Sequence, residues 1–130
     1  MNKIIRKIQY SEKVYRFDVE APLIAKSRKA GNFVIIRVDA NSERMPLTIA
    51  DADIEKGTIT LVVQKVGLSS TKLCNLNEGD EIHDVVGPLG NPTHIENFGT
   101  VLCAGGGVGV APMLPIIKAL KAAGNRVLSV

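Results

Sequence analysis

The stretch Gly105-Gly106-Gly107-Val108-Gly109 lies between two apolar runs, and it restricts the fold more than any other part of the chain. Thr100–Ala104 before it reads as a short strand. A helix is predicted from about Val110 to Ala123, stopped by Gly124-Asn125, and Arg126–Val130 reads as a second strand. Strand, glycine turn, helix and strand in that order make one βαβ unit of a parallel sheet, because parallel neighbours need a crossover connection. Glycines at the turn let backbone N–H groups approach a pyrophosphate, and the helix N-terminus favours its charge. A plain tight turn before a helix uses the same residues. The spacing departs from Gly-x-Gly-x-x-Gly, since counting from Gly105 puts Val110, and counting from Gly107 puts Pro112, at the last glycine. No Gly-Lys-Ser/Thr follows, which excludes an ATP-type phosphate loop.

The predicted helix carries Val110, Met113, Leu114, Ile116, Ile117 and Leu120, and only Lys118 and Lys121 give it a polar face. Two strands and one helix cannot bury that surface, because a parallel sheet needs cover on both faces. The expectation is an incomplete α/β unit, its remainder absent from this product or supplied by another chain. The apolar helix is therefore expected to associate with a partner or another copy.

Residues before Asn97 follow a different pattern. Val14–Glu20 alternates Val14, Arg16, Asp18 and Glu20 against Tyr15, Phe17 and Val19, the period of a half-buried strand. Ile4, Ile5, Ile8 and Tyr10 mark an earlier strand, and Phe33–Val38 and Thr58–Val66 mark later ones rich in β-branched residues. Pro22–Ser27 breaks the pattern with a helical turn. Pro46–Asp51 is a short apolar segment, Leu68–Leu76 a short helix, and Glu81–Val86 a strand ending at Gly87-Pro88-Leu89-Gly90. About six short strands and one helix predict a small closed antiparallel barrel. The division is residues 1–97 for the barrel and 98–130 for the α/β unit.

Aromatic residues are 4% of the chain, so aliphatic side chains must fill the core. The net charge of +3 is spread without a basic block, which argues against nucleic acid. Cys74 and Cys103 are too few for a zinc or iron–sulfur site and sit among apolar neighbours, so they read as buried free thiols. The N-terminus lacks the apolar run of a secretory signal, and no stretch reaches the ~18 apolar residues of a membrane helix. The expected location is the cytoplasm, with no membrane contact. His83 and His94 have no ligand-spaced partners, and Asp51 and Asp53 read as solvated loop carboxylates.

Four short motifs remain: Pro46-Leu47-Thr48 in a barrel strand, Gly67-Leu68-Ser69-Ser70-Thr71-Lys72-Leu73 at a helix start, Gly87-Pro88-Leu89-Gly90, and Gly105–Pro112. Alone each has a structural explanation, an edge-strand proline or a helix N-cap. Their order resembles the ferredoxin–NADP reductase superfamily across essentially the whole chain. Within it the chain is most similar to ferredoxin–NADP reductase alpha subunits, also called sulfide dehydrogenase subunits, with the dihydroorotate dehydrogenase electron-transfer subunit a near relative. Met45 stands where the wider superfamily has arginine, with Arg44 one position early, and Ser69 stands where the dihydroorotate branch favours glycine.

The resemblance implies a mainly β fold: a six-stranded antiparallel Greek-key flavin-binding barrel, then the truncated strand–helix–strand start of an α/β nucleotide-binding domain. It implies an oxidoreductase flavoprotein subunit that passes electrons between NAD(P)H and iron–sulfur partners through FAD. FAD is the cofactor and NAD(P)H a substrate, and no iron–sulfur cluster is expected within this chain. Expected partners are an iron–sulfur electron-transfer subunit or ferredoxin, in a hetero-oligomer or by self-association. By resemblance Leu47 packs on the isoalloxazine after Pro46, and Thr48 bonds near its N5 as the residue closest to catalysis. Gly67, Ser69 and Ser70 hold the FAD pyrophosphate, and Arg44 is a further cofactor contact. Gly105, Gly106, Gly107 and Gly109 meet the nicotinamide nucleotide. The residues that separate NAD from NADP follow the second strand of such a domain, where the sequence stops. Two other readings stand beside this one: the electron-transfer subunit of dihydroorotate dehydrogenase, and a non-catalytic fragment keeping only the barrel.

Overall fold

Alternation along Val14–Glu20 survives unchanged in three dimensions: Tyr15, Phe17 and Val19 are buried, and the residues between them are half-buried. The computed structural model describes residues 2–130, and in it this strand, β2, lies between β1 (Asn2–Gln9) and β6 (Thr58–Gln64), antiparallel to both. A helical turn, α1 (Pro22–Ser27), follows β2, with proline in the first turn where its missing N–H costs nothing. Next come β3 (Phe33–Arg37), β4 (Met45–Thr48) and β5 (Asp51–Asp53). After β6 come helix α2 (Leu68–Cys74) and strands β7 (Glu81–Ile82) and β8 (Asp84–Leu89).

Hydrogen bonding divides these strands into two antiparallel sheets, β5-β6-β2-β1-β7 and β4-β3-β8. Two bent strands join them. One passes from β4 to β5 through buried Ile49 and Ala50, and the other from β7 to β8 at His83. Counting each bent pair as one strand gives the six expected, and each has two neighbours around the ring. The order β1, β2, β6, β4/β5, β3, β7/β8 is the Greek-key pattern. Asp51 and Asp53 are not loop residues as expected: they lie on β5, opposite Thr60 and Thr58. The strand at Gly87-Pro88 likewise does not stop there but continues to Leu89.

One core fills the ring. Ile4, Phe17, Ile36, Ile49, Ile59, Leu61 and Leu73 are essentially inaccessible, and each stabilises the fold by about 1.5–3 kcal/mol on the usual burial scale. Among the described residues Phe17 is the only wholly buried aromatic, and its ring centre lies 6.4 Å from that of Tyr15. Cys74 and Cys103 are buried and free. Burial pushes the Cys74 thiol above its ordinary range, against the opposing charges of Lys65 and Lys7.

The Gly-Pro-x-Gly motif has a packing role in the β3–β8 pairing. A Cβ on Gly87 would sit 2.8 Å from Val34 Cγ1 and 3.1 Å from the Phe33 carbonyl oxygen, so β8 approaches β3 only without a side chain. Gly90 has φ +85° and lies against the Phe33 ring.

Residues 91–98 form a strap without regular structure that leads to β9 (Thr100–Cys103). A single 3₁₀ turn over Gly107–Gly109 then enters α3 (Val110–Ala122), and β10 (Arg126–Ser129) pairs parallel with β9. This is the expected strand–helix–strand unit, with the glycine segment partly wound into a turn. Pro115 and Leu120 are the buried residues of α3, whereas Val110 and Leu114 on the helix and Leu102, Leu128 and Val130 around the β9–β10 pair stay exposed. Among the described residues no helix is long and apolar enough to cross a membrane.

Candidate functional site

The bend at Ile49–Ala50 opens the barrel wall. β5 pairs with Thr58–Thr60, and the Ala50 N–H still reaches the Thr60 carbonyl at 2.9 Å. Beyond the bend β4 turns to pair with β3, so Met45–Thr48 leave the following residues of β6 without a ladder on that side. The gap is a cleft of about 460 Å³. Pro46 and Leu47 line one wall and Val62 and Gln64 the other, while Gly67, Ser69 and Ser70 close one end and Val108 reaches over from the glycine loop.

The walls are apolar because of strand periodicity. Ile59, Leu61 and Val63 of β6 point into the core, which leaves Val62 and Gln64 on the outer face. Val66 and Leu68 flank Gly67 and are 73% and 79% exposed, unusual for large aliphatic side chains. An adjoining groove of about 450 Å³ shares Val62, Gln64 and Val108 and continues to Tyr10, Gly107 and Val110.

Two side-chain arrangements hold the cleft together. Ser70 is buried, and its hydroxyl oxygen accepts from the N–H groups of Val66 at 3.0 Å and Gly67 at 2.9 Å. The same hydroxyl donates to the Gly67 carbonyl at 3.2 Å, so it is fully used within its own turn. Lys72 of α2 donates to Asp39 Oδ2 at 3.2 Å and to Ser42 Oγ at 3.1 Å, tying the segment before β4 to the helix after Gly67. The Ser42 hydroxyl, the Asn41 N–H and Lys72 hold the Asp39 carboxyl below its ordinary range.

Electrostatically the cleft is sparse. Glu43 is the one charged residue along its walls. An anion there would rely on backbone N–H groups, and the first turn of α2 has such groups without intrahelical partners.

The residues named from sequence fall into four sets. Pro46, Leu47, Gly67, Ser69 and Ser70, separated by more than a whole strand in the chain, meet in the cleft. Thr48 is half-buried at the end of β4, opposite Phe33 and on the other face of the strand from Leu47, which opposes buried Val34. Arg44 is turned away: its guanidinium lies 3.6 Å from Asp84, which also pairs with Arg37 at 2.7 Å. Gly105, Gly106, Gly107 and Gly109 stay outside the cleft, with Gly107 on the adjoining groove and Val108 projecting inward.

Gly107 has φ +58°, a left-handed conformation that disfavours other residues, and open space surrounds it, Gly106 and Gly109. Sequence reading missed Val62, Gln64, Val66, Leu68 and Val108. The available signal was the aliphatic pair around Gly67, too exposed in register to belong to a core.

Comparison with known proteins gives one consistent answer. The family described as the oxidoreductase FAD-binding domain matches residues 2–94. The chain is 48% identical over 130 residues to a Thermotoga maritima protein named dihydroorotate dehydrogenase B (NAD(+)), electron transfer subunit homolog. That match covers 100% of this chain and 46% of the relative. A Bacillus caldolyticus dihydroorotate dehydrogenase B electron transfer subunit is 32% identical, over 92% of this chain and 49% of its own length. Among solved structures, an NADH-dependent reduced ferredoxin-NADP oxidoreductase superposes with a TM-score of 0.98 at 47% identity, covering 99% of this chain and 47% of that one. The Amycolatopsis cytochrome P450 reductase GcoB superposes at 0.81 with 22% identity over 98% of this chain and 41% of its own, a likeness of fold alone. The chain spans about half the length of the curated relatives it matches.

Proposed function

The chain belongs to the oxidoreductase FAD-binding domain family, and from that premise we propose that it holds FAD in the β4–α2 cleft and relays electrons between NAD(P)H and an iron–sulfur partner. The observation that carries the reading is the convergence of Pro46-Leu47, Gly67–Ser70 and Val108 on one apolar cleft beside an open strand edge. Such a cleft suits a flavin ring: aliphatic walls take the planar ring, and strand-edge N–H and C=O groups suit its polar edge. Its volume lies within the range of cofactor pockets, about 300–1,000 Å³.

In this reading Leu47, Val62 and Val108 exclude water from the ring, and the N–H groups opening α2 meet the pyrophosphate. Ser70 acts indirectly, shaping that turn through its bonds to Val66 and Gly67. Thr48, which follows Leu47 at the end of β4 but faces the other side of the strand, meets the ring only at its edge, where a hydroxyl can donate to one redox state and accept from the other. Bound flavin supplies the hydride and single-electron chemistry. Residues 1–97 act as the flavin barrel, and 98–130 contribute the glycine loop to the nicotinamide side.

The test is the visible absorption spectrum of the freshly purified chain, with chromatography of any cofactor released on denaturation. Stoichiometric FAD supports the reading, and a colourless chain that also fails to take up added FAD rejects it in favour of a non-catalytic barrel. The names of the relatives favour a second reading, the electron-transfer subunit of a dihydroorotate dehydrogenase. Copurification with a dihydroorotate-oxidising catalytic subunit separates the two.

A further inference from the structure

A second, wider concavity lies away from the flavin cleft. It is a groove of about 700 Å³ where α3 meets the barrel. One wall is the connection after α1, with Arg28 and Lys29, the opposite wall is α3, with Pro115 and Lys118, and the strap supplies Pro92 and Ile95 as an apolar floor.

Charge in the groove is unbalanced. Asp51 Oδ1 lies 3.8 Å from Arg28 and its Oδ2 3.0 Å from Lys118, so two cations share one carboxylate. The Lys29 ammonium has no ion pair among the described residues. His94 on the rim lies 3.4 Å from Glu96, which leaves the three permanent cations facing Asp51 alone. Ion pairs this exposed are weak, so Arg28 and Lys118 can turn to an arriving anion at little cost.

The walls are also held in place, although the strap has no regular structure. Asn32 Nδ2 donates to the Gly90 carbonyl at 3.1 Å, and the Thr93 N–H donates to the Ala30 carbonyl at 2.9 Å. Thr93 sits so close to Gly31 that a Cβ there would lie 2.5 Å from its hydroxyl oxygen. Asn125 secures the far end through Glu96, Phe98 and Gly99. A site built before its ligand arrives loses less affinity to ordering.

We infer that this groove binds a small phosphorylated molecule, its phosphate among Arg28, Lys29 and Lys118 and its apolar body against Pro92, Ile95 and Pro115. The inference does not rest on the flavin reading, because none of these residues lines the flavin cleft. The test is calorimetric titration of the full chain at low salt with AMP and, separately, inorganic phosphate, after saturation with FAD. Saturable AMP binding is expected, weakened about tenfold in Lys29→Ala and in Lys118→Ala, each of which removes a charge-assisted contact. Inorganic phosphate binding as tightly as AMP, and weakened by the same variants, would assign the site to the free anion. Absence of saturable binding, or binding equal in wild type and both variants (an adventitious ion only), overturns the proposal. A chain that takes up no FAD can be titrated in the same way, so the two readings fail independently.

Discussion

Lys118 on α3 donates to Asp51 on β5 at 3.0 Å, and this pair joins the strand–helix–strand unit to the barrel. Partial burial raises the Asp51 pKa, but the Lys118 hydrogen bond, the Ala52 N–H and the charges of Lys118 and Arg28 outweigh it, leaving the carboxyl below its ordinary range. A depressed folded-state pKa stabilises the fold fully above the unfolded value and loses that contribution as pH falls through the folded value. Asp51→Asn should therefore cost at most about 1 kcal/mol at pH 7, the scale of an exposed pair. The gap between variant and wild type, read from urea midpoints, should close below about pH 4. A gap that persists at pH 2 would place the effect outside the ionised carboxylate.

Asn125 is a larger liability. Its Oδ1 accepts from the N–H groups of Phe98 at 2.6 Å and Gly99 at 3.0 Å, and its Nδ2 donates to the carbonyls of Glu96 at 2.8 Å and Leu120 at 2.9 Å. Asn125→Ala removes the partners of the Phe98 N–H and the Glu96 carbonyl, whereas the Gly99 N–H keeps Asn97 Oδ1 and the Leu120 carbonyl keeps the Asn125 N–H, so the cost should be about 2 kcal/mol. Urea unfolding should show the loss. Amide exchange at residues 98 and 99 should accelerate first if the strap opens locally.

Glycine substitutions separate backbone strain from steric exclusion. Gly107→Ala, with φ +58° and open space around it, should cost about 1 kcal/mol through conformation alone. Gly106→Ala and Gly109→Ala meet no neighbour and lie outside that region, so each should stay within about 0.5 kcal/mol of wild type. Gly87→Ala should be worse than all three, about 2 kcal/mol, because its methyl collides with Val34 and the Phe33 carbonyl. Thermal unfolding of the four variants should reproduce this order.

Ser70→Ala tests the shaping of the α2 turn. Two N–H groups, of Val66 and Gly67, lose their acceptor, and about 1–2 kcal/mol of stability should go with it even without flavin. If the flavin-free variant were as stable as wild type, the hydroxyl would have to act on a ligand instead.

Thr48→Val tests the proposed redox contact. The change keeps size and removes the hydroxyl, so flavin reduction should slow by tenfold or more, about 1.4 kcal/mol, while FAD affinity changes little. Stopped-flow reduction by NADH or NADPH beside a flavin titration distinguishes the two. Weaker flavin binding with an unchanged reduction rate would remove Thr48 from the chemistry.

Much of this protein was legible in one dimension. Period-two alternation marks β2 residue by residue, because a strand's faces are written in adjacent side chains. The strand before the glycine loop, the helix after Gly109 and its stop at Gly124 are equally local, set by glycine conformation and apolar spacing. What tertiary structure alone decided was which elements meet. Periodicity says which face is buried but not against what, so the sheet-switching bends at Ile49–Ala50 and His83 had no local signature. Nor did the cleft that the first bend opens. By resemblance Arg44 was a further cofactor contact, and only the fold brings Asp84 within 3.6 Å of it. Asn125 read as a stop signal, while its hydrogen bonds to Phe98 and Gly99 depend on a chain that returns after 26 residues or more. Local preference is encoded in neighbouring residues, whereas these contacts exist only once the whole core has excluded water.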